Sequence, residues 1–200
     1  MAGKRQFDER RTLELARDIF WAKGYGATSI QDIATASGVL RGSLYNAYQD
    51  KETLFLQVFE DYARDFLAEA ARVLADPDVG RALRDFFGFT IASMTTGDPH
   101  RGCLTTKTAI DSRAESERIQ TALRGLLDGL EELVRDRLES EEDRLALPPA
   151  EAARVLVTMT RGIVVMERVY EDPDRLRATA DSLIDVVLAG QRRAVPNRRR

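Results

Sequence analysis

The chain has 200 residues, of which 44% are hydrophobic and 32% charged, and its formal net charge is −3. It can bury a sizeable core, either as one domain or as a small domain joined to a larger one. A single cysteine, Cys103, excludes an intramolecular disulfide, and no apolar run is long enough for a signal peptide or a membrane span. We therefore expect a cytoplasmic protein that has no membrane partner.

The first predicted elements are two helices separated by a short loop. A helix should run from about Arg10 to Lys23 and end at Gly24. A second, short helix should begin at Thr28, because Thr28 and Gln31 have the spacing of a capping box. The turn at Ser37-Gly38-Val39 should end that helix, since glycine adopts positive φ without strain.

Another short helix follows that turn, and its outer face carries Arg41, Ser43, Tyr45 and Asn46. Two short helices joined by a glycine turn form the unit that places its second helix in the DNA major groove. Arg41 can donate to phosphate or guanine, and Asn46 can pair bidentately with adenine. Thr28 and Lys51 stand at the starts of the helices before and after this one. We therefore expect their backbone N–H groups and the Lys51 ammonium to face phosphates.

The segment from about residue 8 to residue 60 contains Gly24-Tyr25, Thr28-Ser29-Ile30, Ile33-Ala34, Gly38-Val39, Gly42-Ser43-Leu44-Tyr45, Tyr48 and Lys51-Glu52-Thr53-Leu54. These motifs resemble the DNA-binding domain of the TetR family of bacterial transcriptional regulators. The resemblance implies an all-α homodimer, usually a repressor, that a small molecule releases from double-stranded operator DNA. It also implies operator contacts at Thr28, Arg41, Gly42, Ser43, Tyr45, Tyr48 and Lys51.

Two positions depart from the common pattern of the family. Asn46-Ala47 stands where many members carry His or another aromatic pair, and Leu40 stands where Ser or Thr is common. These departures concern the base preference and not the mode of binding. Through Lys51 the chain carries eight basic and six acidic residues, which is a small basic footprint for a DNA-binding unit.

The remainder of the chain is predicted to be helical, with no alternating strand pattern. The expected helices run from about 51 to before Asp76, from 80 to 95, from 102 to 112, through Ile119 to Leu138, from 148 to 170 and from 173 to 189. The fold class is therefore all-α. A three-helix DNA-binding domain should cover residues 1–52, and a helical ligand-binding and dimerisation domain should cover residues 53–200. Arg192-Arg193 and Arg198-Arg199-Arg200 suggest a solvated tail, because Gly190 and Pro196 break the helix, and an accessory DNA contact is the alternative.

The last two helices are the predicted dimer interface. Residues 155–166 are apolar on more than one face, so this helix needs cover on two sides. Leu176, Ala180, Leu183 and Val187 fall close to a heptad seam. We expect the two helices to pair with their two-fold mates as a four-helix bundle, and packing within one subunit is the alternative.

A small-molecule site is predicted as a set of candidate lining residues, without individual roles. An apolar cavity with a few hydroxyl groups, suited to an apolar or aromatic inducer, would be lined by residues of the middle helices. The candidates are Phe86, Phe89, Thr90, Met94, Thr105, Leu127, Met159, Met166 and Tyr170. The alternative is that they are ordinary core residues.

Cys103 is the one candidate for covalent chemistry. Its predicted place at the start of a short helix, beside Arg101, would favour the thiolate and a redox or electrophile sensor. The alternative is a buried cysteine that acts as a small hydrophobe. His100 is expected to be a solvated loop residue.

No phosphate loop, zinc spacing or nucleophile elbow occurs, so we expect neither an enzyme nor a metal or cofactor. A noncatalytic helical protein that binds small molecules and keeps a vestigial DNA-binding head is the alternative function.

Overall fold

The computed structural model describes residues 7–97 and 100–189, and all regular structure in those ranges is helical. The helices are α1 (Glu9–Lys23), α2 (Ile30–Ser37), α3 (Arg41–Tyr48), α4 (Lys51–Leu74), α5 (Val79–Met94), α6 (Leu104–Ala109), α7 (Glu117–Glu139), α8 (Pro149–Tyr170) and α9 (Pro173–Val187). A 3₁₀ turn at Glu142–Arg144, which the sequence did not predict, precedes α8. None of the helices described is both long and apolar enough to cross a bilayer.

Side-chain caps and glycines explain where most of these helices begin and end. The carboxylates of Asp8, Asp50, Asp78 and Asp172 each accept a hydrogen bond from a backbone N–H in the first turn of the helix that follows. Gly38 ends α2 in the left-handed region (φ 68°, ψ 13°), as the glycine turn predicted. The predicted helices are confirmed to within about two residues, except that α6 is shorter.

The capping box of α2 lies one residue later than predicted. Ser29 is the N-cap, its hydroxyl accepts from the Asp32 N–H, and the Asp32 carboxylate accepts from the Ser29 N–H. The prediction of Thr28 as the capping residue is wrong, because the Thr28 hydroxyl donates instead to the carbonyl oxygen of Gly24 at 2.8 Å. Asp32, at the third helical position, accepts the hydrogen bond from the N-cap N–H that was predicted for Gln31.

The chain divides into two compact units. Unit 1 comprises the described residues up to Phe66 together with Arg101–Leu126, and unit 2 comprises Leu67–His100 and the described residues from Leu127 onward. In unit 1, α2 packs on both α1 and α3, and the ring of Phe55 lies 5.1 Å from that of Phe20 and 5.0 Å from that of Tyr25. In unit 2, α5, α8 and α9 pack on one another.

The heptad seam of α9 is part of the core of unit 2. Leu176, Ala180 and Val187 are each 2% exposed, and Leu183 is half-buried. Because Leu176, Ala180 and Val187 are buried within the subunit, the prediction that they form the dimer seam is wrong. Pairing of the last two helices with their two-fold mates stays a prediction. A heptad pattern identifies a buried face, but it does not identify the partner that buries it.

His100 is paired, contrary to the expectation of a solvated residue. Its Nδ1 lies 2.5 Å from Oε1 of Glu167, a buried carboxylate on α8 in the same unit. This pair could not be predicted from local sequence signals, since 67 positions separate the two residues. Asp98-Pro99 and the arginines of the C-terminal tail lie outside the described residues.

Candidate nucleic-acid interface

Helix α3 has one buried face and one exposed polar face. Leu44 and Tyr48, four residues apart, are buried at 0% and 1% exposure and seat the helix on unit 1. The other face exposes Arg41, Gly42, Tyr45 and Asn46, with Ser43 half-buried. Tyr48 therefore cannot present its side chain to DNA from this position, and its expected role as a contact is corrected to a packing role.

The exposed face combines hydrogen-bond donors with an aromatic ring. The Arg41 guanidinium donates to the Tyr45 hydroxyl at 3.3 Å and lies 5.3 Å from the centre of its ring. Asn46 is exposed, and its amide makes no hydrogen bond within the described residues. Arginine and asparagine side chains held in this way can reach the edges of guanine and adenine in the major groove.

Thr28 and Lys51 hold the loop between α1 and α2 and do not face outward. Thr28 is 2% exposed. The Lys51 ammonium donates to the carbonyl oxygens of Tyr25 at 3.0 Å and Thr28 at 3.1 Å, and it lies 4.2 Å from the centre of the Tyr25 ring. Burial lowers the pKa of Lys51, and the charge of Arg113 lowers it further. The prediction that this ammonium faces the phosphates is therefore wrong for the conformation described.

A segment distant in sequence braces the end of α1 and the loop that follows it. Within unit 1, the Gly26 N–H donates to Oδ2 of Asp111 at 2.6 Å, the Lys107 ammonium donates to the Trp21 carbonyl at 2.7 Å, and the Trp21 indole N–H donates to the Gly102 carbonyl at 2.7 Å. Partial burial opposes ionisation of Asp111, but hydrogen bonds from the Arg113 and Gly26 N–H groups keep its pKa below the ordinary value. Sequence reasoning missed Asp111, because nothing local marks a partner 85 positions away.

Cys103 is the N-cap residue of α6. Its side chain is buried, as expected if it acts as a small hydrophobic residue. It makes no side-chain cap, and α6 has only six residues. The Arg101 guanidinium, which was expected to favour the thiolate, stacks 3.8 Å from the centre of the Trp21 ring.

The candidate ligand residues are divided between the two units. Phe86, Thr90 and Met94 are buried in unit 2, where the Thr90 hydroxyl donates to the Phe86 carbonyl. Thr105 is buried in unit 1, and its hydroxyl has no hydrogen-bond partner among the described residues.

The other candidates are more exposed. Leu127 and Met159 are half-buried. Met166 and Tyr170 are exposed on α8, so the prediction that they line an internal cavity is wrong. Phe89 lines an open depression of about 610 Å³ with a rim of charged residues. No group of three or more His, Cys, Asp or Glu side chains in residues 7–97 and 100–189 could hold a metal ion.

Comparison with known proteins agrees with this geometry. The family model for bacterial regulatory proteins of the tetR family matches residues 13–58, and the model for the tetracyclin repressor-like C-terminal domain matches residues 80–183. The HTH-type transcriptional repressor ComR of Escherichia coli (strain K12) is 30% identical over 145 residues, which are 72% of this chain and 69% of ComR.

Two solved structures extend the similarity to nearly the whole fold. The reduced form of E. coli NemR superposes with a TM-score of 0.81 at 18% identity, covering 93% of this chain and 98% of NemR. A cysteine mutant of CifR, a TetR family transcriptional regulator solved with 26 base pairs of double-strand operator DNA, superposes with a TM-score of 0.80 at 25% identity, covering 92% and 98%.

Proposed function

We propose, starting from the fact that the chain belongs to the tetR family of bacterial regulatory proteins, that it binds operator DNA as a homodimer and releases it when a small molecule binds. The family consists of DNA-binding transcription factors and not of enzymes, and the repressor ComR supports the same type of regulation here. A regulator of this kind acts in the cytoplasm, and we propose the same place for this protein. We assign DNA reading to residues 1–52 and sensing and dimerisation to residues 53–200.

The observation that carries this proposal is the exposed face of α3. Arg41, Tyr45 and Asn46 are exposed on a helix whose opposite face is buried, so polar side chains are held outward on a firmly seated element. A recognition helix contacts base edges with residues near its N-terminus, and half-sites one helical turn apart require two copies.

The proposed dimer interface is an apolar face of α8. Val155, Val165, Met166, Val169 and Tyr170 are all exposed there, and Val186 is an exposed apolar residue of α9. Four of these residues, from Val165 to Tyr170, lie within two turns of the helix, and an exposed apolar patch of this kind often marks an interaction site. We therefore move the interface from the α9 seam to α8, and α9 contributes only its exposed residues.

Release by a ligand requires that the ligand bind a conformation without operator more tightly than the operator-bound one. An apolar or aromatic inducer suits the buried Phe86 and Met94 of unit 2. Helices α4 and α7 each contribute residues to both units, so they are the elements through which binding could act.

A thiol-based trigger at Cys103 is the second candidate. Cys103 directly follows Gly102, whose carbonyl accepts from the Trp21 indole N–H, so a change at the thiol would disturb a contact with α1 of unit 1. NemR was solved in a reduced form and CifR as a cysteine mutant, which makes the thiol worth testing here. In this case Cys103→Ser should remove the response to electrophiles and keep operator binding.

A mobility-shift assay with genomic fragments, including the DNA upstream of its own gene, tests the proposed function. We expect one or a few fragments to be retained far more tightly than bulk DNA and to be released by an apolar or aromatic compound. Phe89→Ala or Met159→Ala should shift the potency of that compound. If no fragment is preferred, the protein is a helical binding protein with a vestigial DNA-binding head.

A further inference from the structure

Leu40 occupies an unusual place at the start of α3. It is the N-cap residue, with extended backbone angles (φ −60°, ψ 134°), and it is 79% exposed. N-cap positions favour Ser, Thr, Asp or Asn, because their side-chain oxygens accept from the free N–H groups of the first turn. Leucine makes no such bond here. The chain therefore gives up helix stability at this position and exposes a large apolar side chain.

The backbone holds Leu40 in a defined position. Its carbonyl oxygen accepts from the N–H groups of Ser43 at 2.9 Å and Leu44 at 3.2 Å, and Leu44 is fully buried. The exposed side chain is thus anchored at the tip of α3, next to the exposed Arg41.

Gly42, two residues further on, is likewise a residue that lowers the stability of α3. Glycine destabilises a helix relative to alanine, and it is often retained where another backbone or a ligand must approach closely. Apart from its chain neighbours and the backbone of its own helix, no described atom lies within 4 Å of the position that a Cβ on Gly42 would occupy. Packing inside the protein therefore explains neither Gly42 nor Leu40.

We propose that Leu40 determines operator specificity by packing on the 5-methyl group of a thymine in each half-site, while Gly42 allows α3 to approach the base edges. The inference rests on the proposed function, in which α3 enters the major groove. Thymine is the base that presents an apolar group there, and an apolar side chain is its natural partner. Arg41 and Asn46 would read the hydrogen-bonding edges of neighbouring bases.

The size of the effect follows from burial of one methyl group. That contact is worth roughly fourfold in affinity per half-site and about 15-fold for the two half-sites of a dimer. Deoxyuridine differs from thymidine at this edge only by the missing methyl group, so it removes the contact from the DNA side.

The test is a double-mutant cycle between protein and DNA. The full-length wild type and Leu40→Ala are titrated against the operator found by mobility shift and against operators with deoxyuridine at each symmetric pair of thymines. We expect the wild type to lose about 15-fold at one pair, and Leu40→Ala to bind the unmodified operator as weakly and to ignore that replacement. If the two losses simply add at every pair, the inference is overturned.

Leu40→Ser separates DNA contact from a structural role. Because serine can cap α3, this variant should unfold at a higher temperature than the wild type and yet bind the operator several-fold more weakly. Equal operator affinity in Leu40→Ser and wild type would overturn the inference. Arg41→Ala, measured alongside, distinguishes the two levels: if it also binds normally, the proposed role of α3 fails as well.

Discussion

At the scale of single residues, Lys51 shows how strongly tertiary contacts decide a role. A lysine at a helix start near the proposed DNA-reading residues is expected to contact a phosphate. The Lys51 ammonium instead donates hydrogen bonds to the carbonyl oxygens of Tyr25 and Thr28. For Tyr48 a local signal was present, because a residue four positions after the buried Leu44 lies on the same side of the helix, but the expected operator contact was given precedence. The exposure of Asn46 was predictable, since a residue two positions from Leu44 lies on the opposite side of the helix. The helical period does not account for the exposure of Arg41, which lies three residues before Leu44.

Replacing Lys51 by methionine should weaken the fold more than it changes the electrostatics of DNA binding. The loss of two hydrogen bonds from a charged donor should lower the free energy of unfolding by about 1–3 kcal/mol, measured by urea denaturation. The dependence of operator affinity on salt should keep its slope, because the ammonium neutralises no phosphate in this arrangement. A slope reduced by about one counterion per subunit would instead restore Lys51 as a phosphate contact.

Asp32 predicts a dependence of stability on pH. Hydrogen bonds from Lys23 and then from Ser29 hold the pKa of its carboxyl far below the ordinary value. A carboxyl whose pKa is lower in the folded state stabilises the fold above its unfolded pKa, and that contribution disappears as the pH falls. The free energy of unfolding should therefore fall less steeply between about pH 5 and pH 2 in Asp32→Asn than in the wild type. The exposed Asp128→Asn serves as the control and should follow the wild type.

At the scale of elements, most helix ends could be predicted because their signals are local. Asp50, Asp78 and Asp172 cap helices, and Gly38 ends one, all within a turn of the boundary. The brace between residues 101–113 and the loop after α1 was not predictable, since its contacts join residues more than 80 positions apart.

Asp111 is the residue on which to test that brace. Asp111→Ala removes the acceptor of the Gly26 N–H and should lower the free energy of unfolding by about 1–3 kcal/mol, with weaker operator binding because the loop precedes α2. Asp111→Asn keeps a carbonyl oxygen that can accept the same bond, so it should recover most of both losses. Chemical denaturation and operator titration give the two readouts. If asparagine and alanine behave alike, the hydrogen bond to Gly26 is not what holds the loop.

At the scale of the whole molecule, the all-helical fold and its tetR family membership followed from the motifs of residues 8–60, whereas the dimer face did not. Apolar periodicity in α8 and α9 predicted buried faces on both helices. The packing of α9 within unit 2 leaves the exposed apolar residues of α8 as the surface that we propose for the dimer.

Val165→Glu tests that surface. Val165 is 55% exposed, so a glutamate there should leave the subunit folded but place unpaired charges in the dimer interface and yield monomers by light scattering. Val187→Glu, at a site 2% exposed, should instead lower the thermal unfolding midpoint sharply. Thr121→Glu, on the exposed face of α7, is the control and should remain dimeric. A dimeric Val165→Glu would place the interface elsewhere.

The central claim is that the exposed face of α3 reads an operator, and an equilibrium titration of labelled operator DNA with wild type and Arg41→Ala tests it most directly. The matched control is Arg72→Ala, which removes an exposed arginine from the far end of α4. We expect Arg41→Ala to lose about 1–3 kcal/mol of binding free energy per half-site, and to lose it for the operator and not for bulk DNA. Arg72→Ala should bind like the wild type. Equal operator affinity in Arg41→Ala and wild type would contradict the account.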